Sequence, residues 1–128
     1  MLDMETTHMD NHDPDDPVAM YILEASKVEP LTKVEEAKLF REMGHWGKWD
    51  EQGENAARRL VESQLMLVVS LAQKHSTAGV PMLEIMQEGN IGLMNAVKTF
   101  AERPVGDFSV HAAACIEDAI KRYLGESK

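Results

Sequence analysis

Apolar residues recur at helical spacing along most of this chain, and nowhere does a convincing alternation suggest a strand. The clearest stretch runs from Met82 to Phe100. At about 100° per residue, Met82, Ile85, Met86, Gly89, Leu93, Ala96, Val97 and Phe100 collect on one arc, which predicts a core face. The opposite face holds Glu84, Gln87, Glu88 and Asn95, with Ile91 and Met94 set among them. A solvated helix has no need of that isoleucine and methionine, so the face is suited to docking. The plainer alternative is a surface helix with stray exposed apolar residues, which are ordinary. Gly89 and Gly92 each cost roughly 1 kcal/mol relative to alanine inside a helix. Their place on or beside the core arc predicts another helix packed close against them.

The remaining elements follow from caps and breakers. Residues 1 to 13 lack periodicity and are expected to form a disordered acidic arm. Residues 14 to 128 form the predicted helical domain. Asp16-Pro17 suits a helix start, with Val18, Tyr21, Ile22 and Ala25 as the apolar side. Pro30 ends that helix, and Thr32 with Glu35 makes a capping box for the next, whose apolar residues are Val34, Ala37, Leu39, Phe40 and Met43. Gly44 to Gly53 lacks periodicity and is expected to be a loop, with Trp46 and Trp49 packed on the domain. From Glu54 to His75 the pattern predicts one long helix, the central and most buried element, with Leu60, Val61, Leu65, Leu67, Val68, Val69, Leu71 and Ala72 inward. Gly79-Val-Pro81 restarts the chain into the Met82 helix, with Pro81 in its first turn, and Arg103-Pro-Val-Gly106 turns it again. A last helix is expected from Asp107 or Phe108 to Leu124, burying Phe108, Ala112, Ile116, Ala119, Ile120 and Tyr123, with Gly125 as its stop. The expected fold is all-α, a compact bundle of about five helices.

Composition narrows the function. A chain of 128 residues is one domain's worth. Of the net charge of −9, Asp3, Glu5, Asp10, Asp13, Asp15 and Asp16 supply −6, leaving −3 on the rest. A domain that binds nucleic acid by itself usually shows a basic excess; this one shows none. Cys115 is the single cysteine, which fits a reduced setting, and the acids near it argue for an inert thiol rather than a redox sensor. His8 and His12 have helical ligand spacing but no third ligand. With no apolar run of spanning length and no basic, apolar leader, the chain is expected to be soluble and cytoplasmic. No catalytic set or nucleotide-binding glycine loop is present, so it is expected not to be an enzyme and to use no metal, cofactor or small-molecule substrate.

The stretch Glu84-Ile-Met-Gln-Glu-Gly-Asn-Ile-Gly-Leu-Met94 closely resembles the signature of the bacterial sigma-70 family, in the helix with which its second domain grips the clamp helices of core RNA polymerase. Ala57 to Lys74 resembles the preceding family helix, and Asp16 to Tyr21 with Leu31 to Glu36 resembles the short conserved region before it. The resemblance runs from about Asp16 to Leu124, and nothing matching the family's later domains follows. It implies a sigma-70 domain-2-like fold and a polymerase-binding set of Leu65, Glu84, Gln87, Glu88, Asn90, Ile91 and Met94, in which the family's Asp has become Glu84. The implied partner is the clamp-helix pair of the polymerase's largest subunit.

The resemblance fails where the family reads DNA. Family members flip bases of the −10 element onto an aromatic run close to Phe-Ser-Thr-Tyr-Ala-Thr-Trp-Trp-Ile-Arg-Gln-Ala-Ile. Here the run is Phe108-Ser-Val-His-Ala-Ala-Ala-Cys-Ile-Glu-Asp-Ala-Ile120. The corresponding nucleic-acid positions are Gln64, Phe100, Arg103, Phe108, His111, Ala114, Cys115, Asp118 and Lys121. Only Phe100, Arg103 and Phe108 keep the family's residue type. Family positions just before the run correspond to Pro104, Gly106 and Asp107, and those that touch DNA downstream of the element to Ala19, Ile22 and Leu23. Glu117 and Asp118 are expected to face, and repel, phosphate. The leading expectation is a protein that binds core polymerase and modulates transcription initiation with −10 reading weak or lost. Two alternatives stand beside it: an active, shortened sigma factor with divergent promoter recognition, and a helical interaction module that has left polymerase.

Overall fold

Side-chain caps decide where most of the helices begin. Asp16 Oδ1 accepts from the Val18 amide at 3.0 Å. Thr32 Oγ1 accepts from the Glu35 amide at 3.1 Å while Glu35 Oε1 accepts from the Thr32 amide at 2.9 Å, the expected capping box. Asp50 Oδ1 accepts from Gly53 at 2.9 Å. The computed structural model describes residues 16–44, 50–77 and 79–125. Among these the order is α1 (Pro17–Ser26), α2 (Lys33–Met43), α3 (Glu51–Glu62), α4 (Leu65–Lys74), α5 (Met82–Glu102) and α6 (Phe108–Leu124). The all-α expectation holds. The acidic arm, Trp46 and Trp49 lie outside the described residues.

Four expectations change. The long helix expected over Glu54 to His75 is two helices, broken at Ser63-Gln64 and begun earlier, at Glu51, inside the expected loop. Ser63 Oγ donates to the Leu60 carbonyl at 2.7 Å and the Gln64 amide to the Val61 carbonyl at 3.0 Å, closing the end of α3. Gln64 then reaches α6, its Nε2 donating to Ser109 Oγ at 3.3 Å. No glycine or proline marks this break; a tertiary hydrogen bond accompanies it. The most buried element is accordingly α5, which buries Ile85, Met86, Gly89, Gly92, Leu93, Ala96, Val97 and Phe100, rather than α3 or α4. Pro81 precedes α5 as its cap rather than lying within the first turn.

The fourth change is the phase of α2. Val34 is 77% exposed and Ala37 is exposed too, whereas Glu36 is buried at 6%, in line with half-buried Leu39 and Phe40 and buried Met43. A carboxylate occupies the inward stripe where hydrophobicity alone puts a valine. Burial pushes the Glu36 pKa up, against the pull of Lys33 at 3.6 Å. Phe40 also closes a ring cluster with Phe100 and Phe108, centroids 5.0 Å from each, which ties α2 to α5 and α6.

α5 packs most extensively on α6. A Cβ on Gly92 would lie 2.6 Å from the Cys115 carbonyl oxygen, 2.8 Å from Ala119 Cβ and 3.0 Å from Ile116 Cα. Two of those three atoms are backbone and cannot step aside. At Gly89 the neighbours are ends of side chains, with Val68 Cγ1 at 2.9 Å and Ile120 Cδ1 at 3.3 Å. α6 ends at Gly125, whose φ of 76° is the left-handed cap that glycine adopts freely.

Two outcomes follow for stability. Gly92→Ala should lose more than the roughly 1 kcal/mol it gains in helix propensity, because overpacking against backbone costs about 1–3 kcal/mol or more. Gly89→Ala should be closer to neutral, and denaturant melts of the two variants check the order. Glu36 has a folded pKa above its ordinary 4.5, so the stability tied to its protonated form is present below 4.5 and is lost as pH rises through the folded value. Glu36→Gln should therefore melt higher than the parent at pH 7, with the gap closing near pH 4.

Candidate functional site

The outer face of α5 carries five of the expected docking residues in one strip. Glu84 and Gln87 are exposed, Glu88 is half-buried, and Ile91 and Met94 are 59% and 55% exposed. Their spacing of three and four residues puts them on adjacent turns. Leu65 opens α4 and is partly buried against the core. Asn90 lies at the flank of the strip and faces another helix: its Nδ2 donates to the Tyr21 hydroxyl of α1 at 2.8 Å, and its Oδ1 is buried with no partner among the described residues. Asn90 thus pins α1 to α5 in this structure. Glu84 also has an internal partner, the Tyr123 hydroxyl, which donates to its Oε1.

The second expected set begins at the turn between α5 and α6 and runs along α6, with Gln64 ahead of α4. Phe100 and Phe108 are 8% and 3% exposed and lie with ring centroids 5.5 Å apart. Both belong to the core, so neither offers a free ring face to a base. His111 is half-buried, its ring tilted 42° to that of Phe100 with centroids 5.8 Å apart, and its Nε2 2.7 Å from Thr99 Oγ1. Gln64 is engaged with Ser109, and Arg103 is exposed at the end of α5. Ala114 is exposed, Lys121 half-buried, and Asp118 exposed and paired with Arg122 at 2.8 Å. Cys115 Sγ lies 3.7 Å from His111 Nε2; burial, and then the Asp118 charge, push the thiol pKa up, which disfavours a thiolate.

Glu117 departs from expectation. It is turned to α4, where its Oε2 meets His75 Nε2 at 2.9 Å and Lys74 Nζ at 3.2 Å. These two partners, His75 first, hold its pKa below the usual carboxylate value. The acid therefore clips α6 to α4 and is not set out against a phosphate. A residue with a local charge partner two helices away gives no sign of it in the sequence. Asp107 behaves similarly: it caps α6 and pairs with Lys33 of α2, which lowers its pKa.

The sigma-70 region 2 family model matches residues 60–128, which spans α4, α5 and α6. The chain belongs to the sigma-70 family. It is 38% identical over 112 residues to the RNA polymerase sigma factor SigA of Lactococcus lactis subsp. cremoris, covering 88% of this chain and 30% of the relative. It is 37% identical over 113 residues to the protein of the same name from Clostridium acetobutylicum, covering 88% of this chain and 28% of the relative. The chain thus spans under a third of the length of the curated relatives it matches.

Within this sigma-70 helical unit, sequence reasoning missed Tyr21, Tyr123, Lys74, His75 and Thr99 as partners of the candidate residues. Tyr123 had the clearest signal. It is expected to be buried, yet it is 42% exposed at the end of α6, beside the first turn of α5, where its hydroxyl meets Glu84. Among the described residues no helix is long and apolar enough to cross a membrane.

Proposed function

We propose that this chain docks on core RNA polymerase through the outer face of α5, against the clamp helices of the largest subunit, and modulates transcription initiation with little reading of a −10 element. The observation that carries it is the exposure of Ile91 and Met94, at 59% and 55%, within a strip that also holds Glu84, Gln87 and Glu88. Exposed apolar residues set beside polar ones suit a protein interface, and the acids suit a basic partner surface. The relatives' description as RNA polymerase sigma factors supports the choice of partner.

The α6 face supports the second half of the proposal. Single-stranded DNA is held by stacked rings and cations, each stacked base contributing about 1–3 kcal/mol. This face offers exposed Ala114 and Asp118, while the two nearby phenylalanines are buried. Several missing stacks outweigh what Arg103 and Lys121 can return through phosphate contacts. The protein then competes with, or modifies, sigma factors that read the promoter.

Two measurements test this. Core polymerase should be captured by the parent chain, and Gln87→Ala combined with Glu88→Lys should reduce capture about tenfold or more, roughly 1.4 kcal/mol, with the helical circular dichroism unchanged; equal capture removes α5 as the docking helix. The purified polymerase complex should retain a single-stranded TATAAT oligonucleotide only weakly and in a salt-sensitive way. Submicromolar retention at physiological ionic strength, or promoter opening with no other sigma factor present, overturns the competitor role in favour of an active sigma factor.

A further inference from the structure

The last turn of α6 lies beside the first turn of α5, so the candidate docking strip continues onto a second helix. Tyr123 is 42% exposed there, with its hydroxyl donating to Glu84 Oε1. The hydrogen bond to Glu84 is the largest cause of a Tyr123 pKa above the ordinary 10.0, and the Glu88 charge adds to it. The phenol is therefore a hydrogen-bond donor across the neutral range.

Exposed glutamates sample several rotamers, and fixing one on association costs binding free energy. Glu84 is already oriented in the free chain. A carboxylate has about four acceptor positions, so the tyrosine bond occupies one and leaves Oε2 for a cation on a partner. We propose that Tyr123 is a positioning residue of the docking surface, holding the Glu84 carboxylate in place for a lysine or arginine of the partner. This rests on the proposed docking to polymerase. Tyr123→Phe removes the hydroxyl and keeps the ring; Glu84→Asp keeps the charge and withdraws the carboxylate by one methylene, so each breaks the pair differently.

The test is a double-mutant cycle with the full chain and purified core RNA polymerase, read by fluorescence anisotropy, alongside the Gln87→Ala/Glu88→Lys variant. Tyr123→Phe and Glu84→Asp should each weaken binding about three- to tenfold, the range expected of one solvent-exposed hydrogen bond. The double variant should bind no more weakly than the worse single one. Thermal midpoints should stay near the parent's. NMR titration of ring-labelled tyrosine should show the Tyr123 pKa moving back toward 10.0 in Glu84→Asp. If Tyr123→Phe binds as tightly as the parent or more tightly, or if the two losses multiply, Tyr123 does not position Glu84. If Gln87→Ala/Glu88→Lys alone leaves binding intact, the docking surface itself is wrong and this proposal falls with it.

Discussion

The close approach of α5 and α6 at Gly92 is the constraint on which the rest of the structure depends. With no side chain at that point, the Cys115 carbonyl and the Ile116 Cα come within 3.0 Å of where a Cβ would stand. Contact at that range fixes how the two helices lie along each other, because a shift along the axis would drive a real side chain into the gap. The alignment then brings Phe108 beside Phe100, His111 beside Thr99, and Tyr123 beside Glu84. Leu93, Ile116 and Ile120 fill the same contact and are fully buried, so burial of apolar area and helix alignment reinforce each other.

The polar side chains of α6 are largely spent on holding this arrangement. Glu117 bridges to Lys74 and His75 on α4, Asp107 caps its own helix and pairs with Lys33 on α2, and Asp118 pairs with Arg122 one turn on. Gln64 donates to Ser109. Side chains committed to such contacts have less freedom to meet an extended polyanion, and two of the cations nearest to α6, Lys74 and Lys33, are neutralised by its own acids. The outer strip of α5 is different. Gln87, Ile91 and Met94 are exposed.

By itself the sequence determined the helical class, the caps at Asp16, Thr32 and Gly125, and the two faces of α5, because these depend on short-range spacing and on local hydrogen bonds to the chain's own amides. It also determined that Gly89 and Gly92 mark a close contact, since a glycine in mid-helix is unfavourable unless something packs there. Only the tertiary structure decided where α3 ends and α4 begins, for no local breaker stands at Ser63-Gln64, and Gln64 makes its side-chain bond to a residue far along the chain. Only the tertiary structure put Glu36 inward and Val34 outward, reversing their hydrophobic order, because a partly paired carboxylate can occupy a buried stripe when the helix is held by Phe40 and Met43. The same holds for Glu117, Asn90 and Tyr123. Each is aimed by a partner on another helix, and the direction of a side chain across a helix interface is set by packing between elements that sequence spacing does not encode.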